Sequence, residues 1–347
     1  MRALTLRGAH DAAIGETDDE PLGAGDVRVA IAQVGLCGSD THFYAHGRIG
    51  AFRLTGPHVL GHEASGTVLE TGGEVTDLVP GDRVAVEPGL WCGRCRECLA
   101  GTYNLCADMR FLGMPPHAGL ARERVVLPRR AVHAVPAGMT ATRAALLEPL
   151  SVAVWAVGRA AVQPGEQVLI AGAGPIGTLV ARVALAQKAA RVIVADVDDR
   201  RLARLAESTP GVETAHVGTG SADGAGNGFQ DVAADLDCYL ECSGAPTALD
   251  DGMTRLRPRG RAVLVGVPAA PTLALSSTLI RYRELTLTTV HRYAHTWPRA
   301  IELVSSGAVE VDDLVSDRYP LEEGPRALAE AAAGEVAMKA MISVGAS

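Results

Sequence analysis

One stretch restricts the fold of this chain more than any other. It is Gly172-Ala-Gly174-Pro175-Ile176-Gly177, set between an apolar run at 168–171 and a helical run at 176–187. Gly172 permits a tight turn, and Gly174 lets the backbone approach a pyrophosphate. Gly177 lets helix and strand pack closely. The helix N-terminus then turns free N–H groups and its positive dipole end toward an anion. The next β-branched run, 191–195, leads into Asp196. A carboxylate at that place accepts from both ribose hydroxyls of a dinucleotide and repels a 2′-phosphate. The reading is NAD rather than NADP, although Arg200 and Arg201 close behind keep a phosphate within the options.

Further β-rich runs follow at 238–241, 262–267 and 285–290, with helical stretches at 201–207 and 247–256 between them. Strands alternating with helices predict an α/β fold, a doubly wound parallel sheet covered on both faces. The first 150 or so residues have another texture. Short β-rich runs at 27–34, 64–69 and 83–86 are punctuated by Gly72-Gly73 and Pro80-Gly81, and loops fill 87–122. That pattern predicts an all-β unit. A chain of 347 residues exceeds what one core supports, so two domains are expected. The helices at 297–305 and 321–333 and a strand at 340–344 are expected to return to the first domain. The expected borders are 1–151 with 294–347, and 152–293 between them. The glycine-rich segment 218–229 reads as a surface loop. The apolar edge at 285–290 is suited to pairing with a second copy, so a homo-oligomer is expected.

Net charge is −8, which disfavours a nucleic-acid surface. No apolar run approaches the roughly 18 residues of a membrane span, and the N-terminus lacks the apolar stretch of a signal peptide. A cytoplasmic, reducing setting is the expectation, in which seven cysteines serve as thiols or metal ligands rather than disulfides. Lys188 and Lys339 are the only lysines, a bias read here as genomic.

Cys92, Cys95, Cys98 and Cys106 form C-x2-C-x2-C-x7-C in a segment with little to bury. Four thiolates in one loop suit a closed, tetrahedral zinc site; an Fe–S cluster and free thiols are the alternatives. A second set is dispersed: Cys37, His62, Glu63 and Glu148. Together they offer thiolate, imidazole and carboxylate, a mixed donor set of the kind that holds a catalytic zinc with one open position. Their spacing does not itself say that they converge.

Gly35-Leu-Cys37-Gly-Ser39-Asp40, Gly61-His62-Glu63, Pro80-Gly-Asp-Arg-Val84, the cysteine lobe and the 172–177 turn resemble the zinc-containing medium-chain dehydrogenases, in order along nearly the whole chain. His46-Gly-Arg-Ile-Gly50, Glu148-Pro-Leu-Ser-Val152, His291-Arg-Tyr293 and Thr296-Trp-Pro298 resemble the sorbitol (polyol) dehydrogenase branch. The resemblance implies a GroES-like all-β catalytic domain plus a Rossmann domain, and one catalytic and one structural zinc per chain. It implies Cys37, His62 and Glu63 as ligands of the catalytic ion, with Glu148 either a fourth ligand or a partner of its water and the substrate. Ile176, Asp196, Arg201, Val265, Gly266, Val267, Val290, His291 and Arg292 would line NAD. Arg292 and Tyr293 would meet substrate hydroxyls, and Ser39 and His42 would relay the released proton. Phe43 stands where polyol dehydrogenases usually carry a tyrosine at the substrate. The implied reaction is hydride transfer from a secondary hydroxyl of a polyol to NAD+. Butanediol, threonine or general secondary-alcohol oxidation, and a silent NAD(H)-binding protein, are the alternatives. A tetramer is implied by the polyol branch and a dimer by the alcohol branch.

Overall fold

The computed structural model describes residues 1–50, 52–218, 228–268 and 271–345. Two units divide the chain, Met1–Glu148 with Val311–Ser347, and Pro149–Glu310.

The first unit is organised by the strand Asp26–Gly35, whose residues alternate between buried and half-buried until the last three, which are all buried. Val27, Val29, Ile31 and Val34 pack with Leu4, Leu6, Val68, Val84, Val125 and Ile342 in one apolar core. Each such side chain contributes about 1.5–3 kcal/mol by leaving water. The sheet has seven strands. Val132–Ala134, Arg83–Val86, Glu63–Thr71, Asp26–Gly35, Lys339–Ser343 and Val315–Pro320 lie in that order, and Arg124–Pro128 also pairs with Asp26–Gly35. Register here decides chemistry. Gly35 stands opposite Glu63 on one side and opposite Met341 on the other. The last strand therefore brings residue 339 next to the start of Glu63–Thr71.

The second unit carries six parallel strands. Their order is Val212–His216, Arg191–Asp196, Gln167–Ala171, Leu236–Glu241, Leu256–Leu264 and Thr286–Thr289. Gln167–Ala171 and Arg191–Asp196 are buried almost throughout, as strands covered on both faces must be. The order in which successive strands are laid down reverses between Gln167–Ala171 and Leu236–Glu241. That switch point is where open α/β sheets leave a crevice for a ligand at the carboxyl ends of the strands. Val212–His216 had no strand signal in the sequence because it is an edge strand with little to bury.

The borders differ from those expected. The first falls just after Glu148, inside the helix Leu147–Arg159, and the return comes at Val311 rather than at 294. The reason is the helix Trp297–Ser305, which buries Trp297, Ala300, Leu303 and Val304 and stays with the second unit. The loop expected at 218–229 lies largely outside the described residues. No helix among the described residues is long and apolar enough to cross a membrane.

Candidate active site and structural metal centre

Cys37 precedes the helix Gly38–His46, and Glu63 opens the strand opposite Gly35. The sheet thus gathers residues far apart in sequence. Ligand atoms of Cys37, His62 and Glu63 lie within 4.8 Å of one another. His62 and Glu63 are buried, and Glu148, in the first turn of Leu147–Arg159, is buried too.

Two further residues hold this set, and the sequence reading assigned neither a role. Asp40 is buried; its carboxylate accepts from the Cys37 N–H at 2.9 Å and the Gly61 N–H at 3.2 Å. It lies 4.0 Å from His62 Nδ1. One carboxylate therefore ties the two ligand-bearing loops together and lies near the imidazole without hydrogen-bonding to it. Lys339 is the second. Its ammonium donates to both Glu63 oxygens at 2.7 Å and to the Leu36 carbonyl at 3.2 Å. Burial pushes its pKa down, but Glu63 and Cys37 outweigh that and hold it above the usual lysine value. A Cβ on Gly35 would come within 2.3 Å of Glu63 Oε2, so a larger residue there would displace the Glu63 carboxylate.

The electrostatics suit a cation. Burial alone would lower the pKa of His62, yet the charges of Cys37 and Asp40, a Cys37 hydrogen bond and the charge of Glu148 drive it well above normal. Thiolate, imidazole and carboxylate brought together in this way are a donor set that fits Zn2+.

The cysteine lobe is a separate centre. Zinc–sulfur bonds of roughly 2.3 Å in a tetrahedron put sulfurs about 3.8 Å apart. Cys92 and Cys98 Sγ are 4.0 Å apart, and Cys95 and Cys106 Sγ are 3.9 Å apart. None of the four is in a disulfide, and the Cys92 N–H points at Cys106 Sγ at 3.3 Å. Backbone N–H donors at Cys98 and Ala107 lower the Cys95 pKa, and burial raises that of Cys98. The lobe is moored by Tyr103, which stacks on Trp91 and donates to Glu87 Oε1 at 3.0 Å. His133 Nε2 lies 2.9 Å from the other Glu87 oxygen.

In the second unit the glycine roles are borne by geometry. Gly172 has φ +99°, and a Cβ on Gly177 would sit 1.8 Å from the Gly172 carbonyl oxygen. A Cβ on Gly174 would meet no protein atom within 4 Å, at the N-cap of Pro175–Ala186. Open space at a helix N-terminus is what a pyrophosphate needs. Asp196 accepts from the Ala173 N–H at 2.6 Å and the Asp198 N–H at 2.9 Å. Each oxygen retains a lone pair for a ribose hydroxyl. Arg200 is paired with Asp198, and Arg201 is exposed. Val265 and Gly266 follow the strand Leu256–Leu264, and Val267 is 79% exposed. Val290 and His291 follow the last strand, and Arg292 has φ +54°.

Other expected residues divide. Ser39 is half-buried and His42 exposed on Gly38–His46. Phe43, expected at the substrate, is instead fully buried in the first unit's core. Helical geometry turns it into the apolar cluster that also holds Leu4 and Leu6. Tyr44, next to it, is half-buried with its ring edge-on to His10. Tyr293 is buried edge-on to Trp297.

Two family models match the chain, the alcohol dehydrogenase GroES-like domain over residues 23–137 and zinc-binding dehydrogenase over 175–306. Sorbitol dehydrogenase of Bacillus subtilis is 34% identical over 333 residues, 95% of this chain and 93% of its own length. L-arabinitol 4-dehydrogenase of Talaromyces emersonii is 38% identical over 326 residues, 90% of this chain and 82% of its own. The crystal structure of L-idonate 5-dehydrogenase from Escherichia coli superposes with a TM-score of 0.90 at 27% identity, covering 99% of this chain and 98% of that one. Fold, donor sets and family models define a zinc-binding oxidoreductase that uses a nicotinamide dinucleotide. The chain belongs to the zinc-containing medium-chain dehydrogenases, in their sorbitol-dehydrogenase-like branch.

Proposed function

We propose that this protein oxidises a secondary hydroxyl of a polyol such as sorbitol, xylitol or arabinitol to the ketone, with NAD+ as acceptor. The observation that carries the reading is the meeting of half-buried Cys37 with buried His62 and Glu63, their ligand atoms within 4.8 Å of one another. The polyol class rests on relatives acting on sorbitol, L-arabinitol and L-idonate. Cys37, His62 and Glu63 would hold zinc, with Glu148 as a fourth ligand or a partner of water and substrate. Zinc supplies Lewis acidity that lowers the pKa of a hydroxyl reaching it, and the dinucleotide is the hydride acceptor. Asp40 and Lys339 keep the ligands oriented. Ser39, half-buried, and His42, exposed, would pass the released proton outward. Replacing Ser39 by Ala is expected to slow oxidation with zinc content unchanged; full turnover would refute the relay. Gly172, Gly174, Pro175, Ile176, Gly177 and Asp196 would hold NAD, with Arg201, Val265–Val267 and Val290–Arg292 along it. Arg292 and Tyr293 would meet substrate hydroxyls.

NAD is preferred to NADP because Asp196 repels a 2′-phosphate and Asp198 occupies Arg200. A homotetramer in the cytoplasm fits the branch and the seven free thiols. The test is a panel of polyols, butanediol, threonine and simple secondary alcohols, followed by NADH absorbance, with and without a chelator. Polyol turnover lost on chelation and restored by zinc is expected. Turnover confined to butanediol or threonine would move the substrate class, and no turnover with any alcohol would overturn the reading.

A further inference from the structure

The sheet of the second unit has its switch point between two strand ends. One is the Gly172–Gly177 turn. The other is Glu241-Cys242-Ser243-Gly244, which lies outside the glycine turn and both ligand sets.

Glu241 is the last residue of Leu236–Glu241 and is 1% exposed. Its carboxylate organises the turn at Ser243 and Gly244. Oε1 accepts from the Ser243 N–H at 2.7 Å, from the Ser243 hydroxyl, and from the Gly244 N–H at 2.9 Å. Its carbonyl oxygen accepts from the N–H groups of Val265 and Gly266, both at 2.8 Å. Oε2 is buried without a hydrogen-bond partner among the described residues. The packing around it leaves no slack. A Cβ on Gly266 would meet Gly244 N at 2.4 Å and Glu241 Oε2 at 2.7 Å. A Cβ on Gly244, at φ +70°, would meet the Val267 carbonyl oxygen at 2.8 Å. On the other side, Cys242 N–H donates to the Ala171 carbonyl, and Gly172 lies against Ser243. Val267, at the end of this chain of contacts, exposes its apolar side chain.

We infer that Glu241 is a positioning residue for the dinucleotide: through Oε1 it fixes the Ser243–Gly244 turn, and through that turn the 265–267 segment, as the second wall of the cofactor crevice. A buried carboxylate is costly unless hydrogen-bonded, and here three donors sit on one oxygen while the other has none. Burial raises its pKa despite those bonds. Fold stability alone does not call for such a group at the ligand-binding end of a strand. This inference rests on the dinucleotide reading under Proposed function.

The test uses the full-length, zinc-loaded protein and NADH fluorescence titration, with melting temperature as the second readout. Glu241→Ala is expected to raise the NADH Kd by about tenfold, a shift of the size one lost charge-assisted bond produces. Glu241→Gln, whose amide oxygen can take the place of Oε1, is expected to recover most of the affinity. Leu236→Ala, at the opposite end of the same strand, supplies the control. It removes a buried side chain and is expected to lower the melting temperature with the NADH Kd unchanged. Equal NADH affinity in wild type and Glu241→Ala, or equal losses in Glu241→Ala and Leu236→Ala at matched melting temperature, would overturn the inference. Should Glu241→Ala fail to fold, Ser243→Ala decides: about threefold weaker NADH binding supports the inference and unchanged binding overturns it. Wild type that binds no NADH refutes the dinucleotide reading itself, a separate result.

Discussion

The two metal centres of the first unit are built by opposite means. In the lobe, four cysteines within one short loop supply every donor, and their sulfurs lie in two pairs 3.9 and 4.0 Å apart. In the other centre, Cys37 and the adjacent pair His62-Glu63 come from separate stretches of the chain, and sheet register brings them together. The helix Arg96–Leu99 of the lobe buries no residue, so a bound metal is expected to supply much of the lobe's stability. The dispersed site has its shape from the sheet and needs no metal to fold. The contrast explains why one centre suits a structural ion and the other a reactive one.

The largest expected effect is a double dissociation. Cys98→Ser should release one zinc per chain and collapse the melting temperature, because structural zinc binding of about 10–16 kcal/mol is in part folding energy. Cys37→Ser should also release one zinc, but with the melting temperature nearly kept and turnover down by roughly 1000-fold or more, since Lewis acidity is lost. Metal analysis, calorimetry and NADH absorbance on the two variants make the comparison. Variants that lose stability and turnover to the same extent would erase the distinction.

Next in size is Lys339→Met. It takes the ammonium from buried Glu63, which in the zinc-free protein costs about 3–5 kcal/mol in denaturant unfolding. Adding Glu63→Gln in the same chain should recover part of that stability, although not the catalytic ion. No recovery would mean that the pair is not coupled. Asp40→Asn comes after it. It keeps the shape but weakens the carboxylate that holds the Cys37 and Gly61 amides. Zinc affinity at the dispersed site should fall by about 10–100-fold, with the lobe ion unaffected. A competition titration against a chelator of known affinity reads this, and equal loss from both sites would contradict it.

These residues also show where sequence reading stops. The glycine turn, the lobe and the ligand motifs are legible because their chemistry is carried by neighbours in the chain. The partners of the dispersed site are not. Lys339 lies 276 residues from Glu63, and only pairing of the last strand beside Gly35 joins them. A signal existed: in a chain whose only other lysine is Lys188, a lysine at 339 fits a buried slot for a compact ammonium. Asp40 stands inside a legible motif, yet its role is hidden because one of its two donors belongs to the Gly61 loop. Phe43 goes the other way. Its place in the chain suggests the substrate, whereas the face of the helix Gly38–His46 on which it lies belongs to the core. The helix Trp297–Ser305 shifts the unit border for a related reason: its apolar stripe does not say which core it covers.

The smallest effect sharpens the comparison from the lobe's side. If the lobe draws its form from its metal, its remaining contacts should matter little. The principal mooring is the Tyr103 hydroxyl on Glu87, a buried bond of 3.0 Å, with His133 on the far carboxylate oxygen. Tyr103→Phe keeps the stack on Trp91 and removes one bond. Glu87 retains His133, so the cost should stay near ~1 kcal/mol in denaturant unfolding, with both zinc ions bound. A loss of the lobe zinc in Tyr103→Phe would show that the loop depends on the sheet for its shape after all, and that the two centres differ less in construction than in the spacing of their ligands.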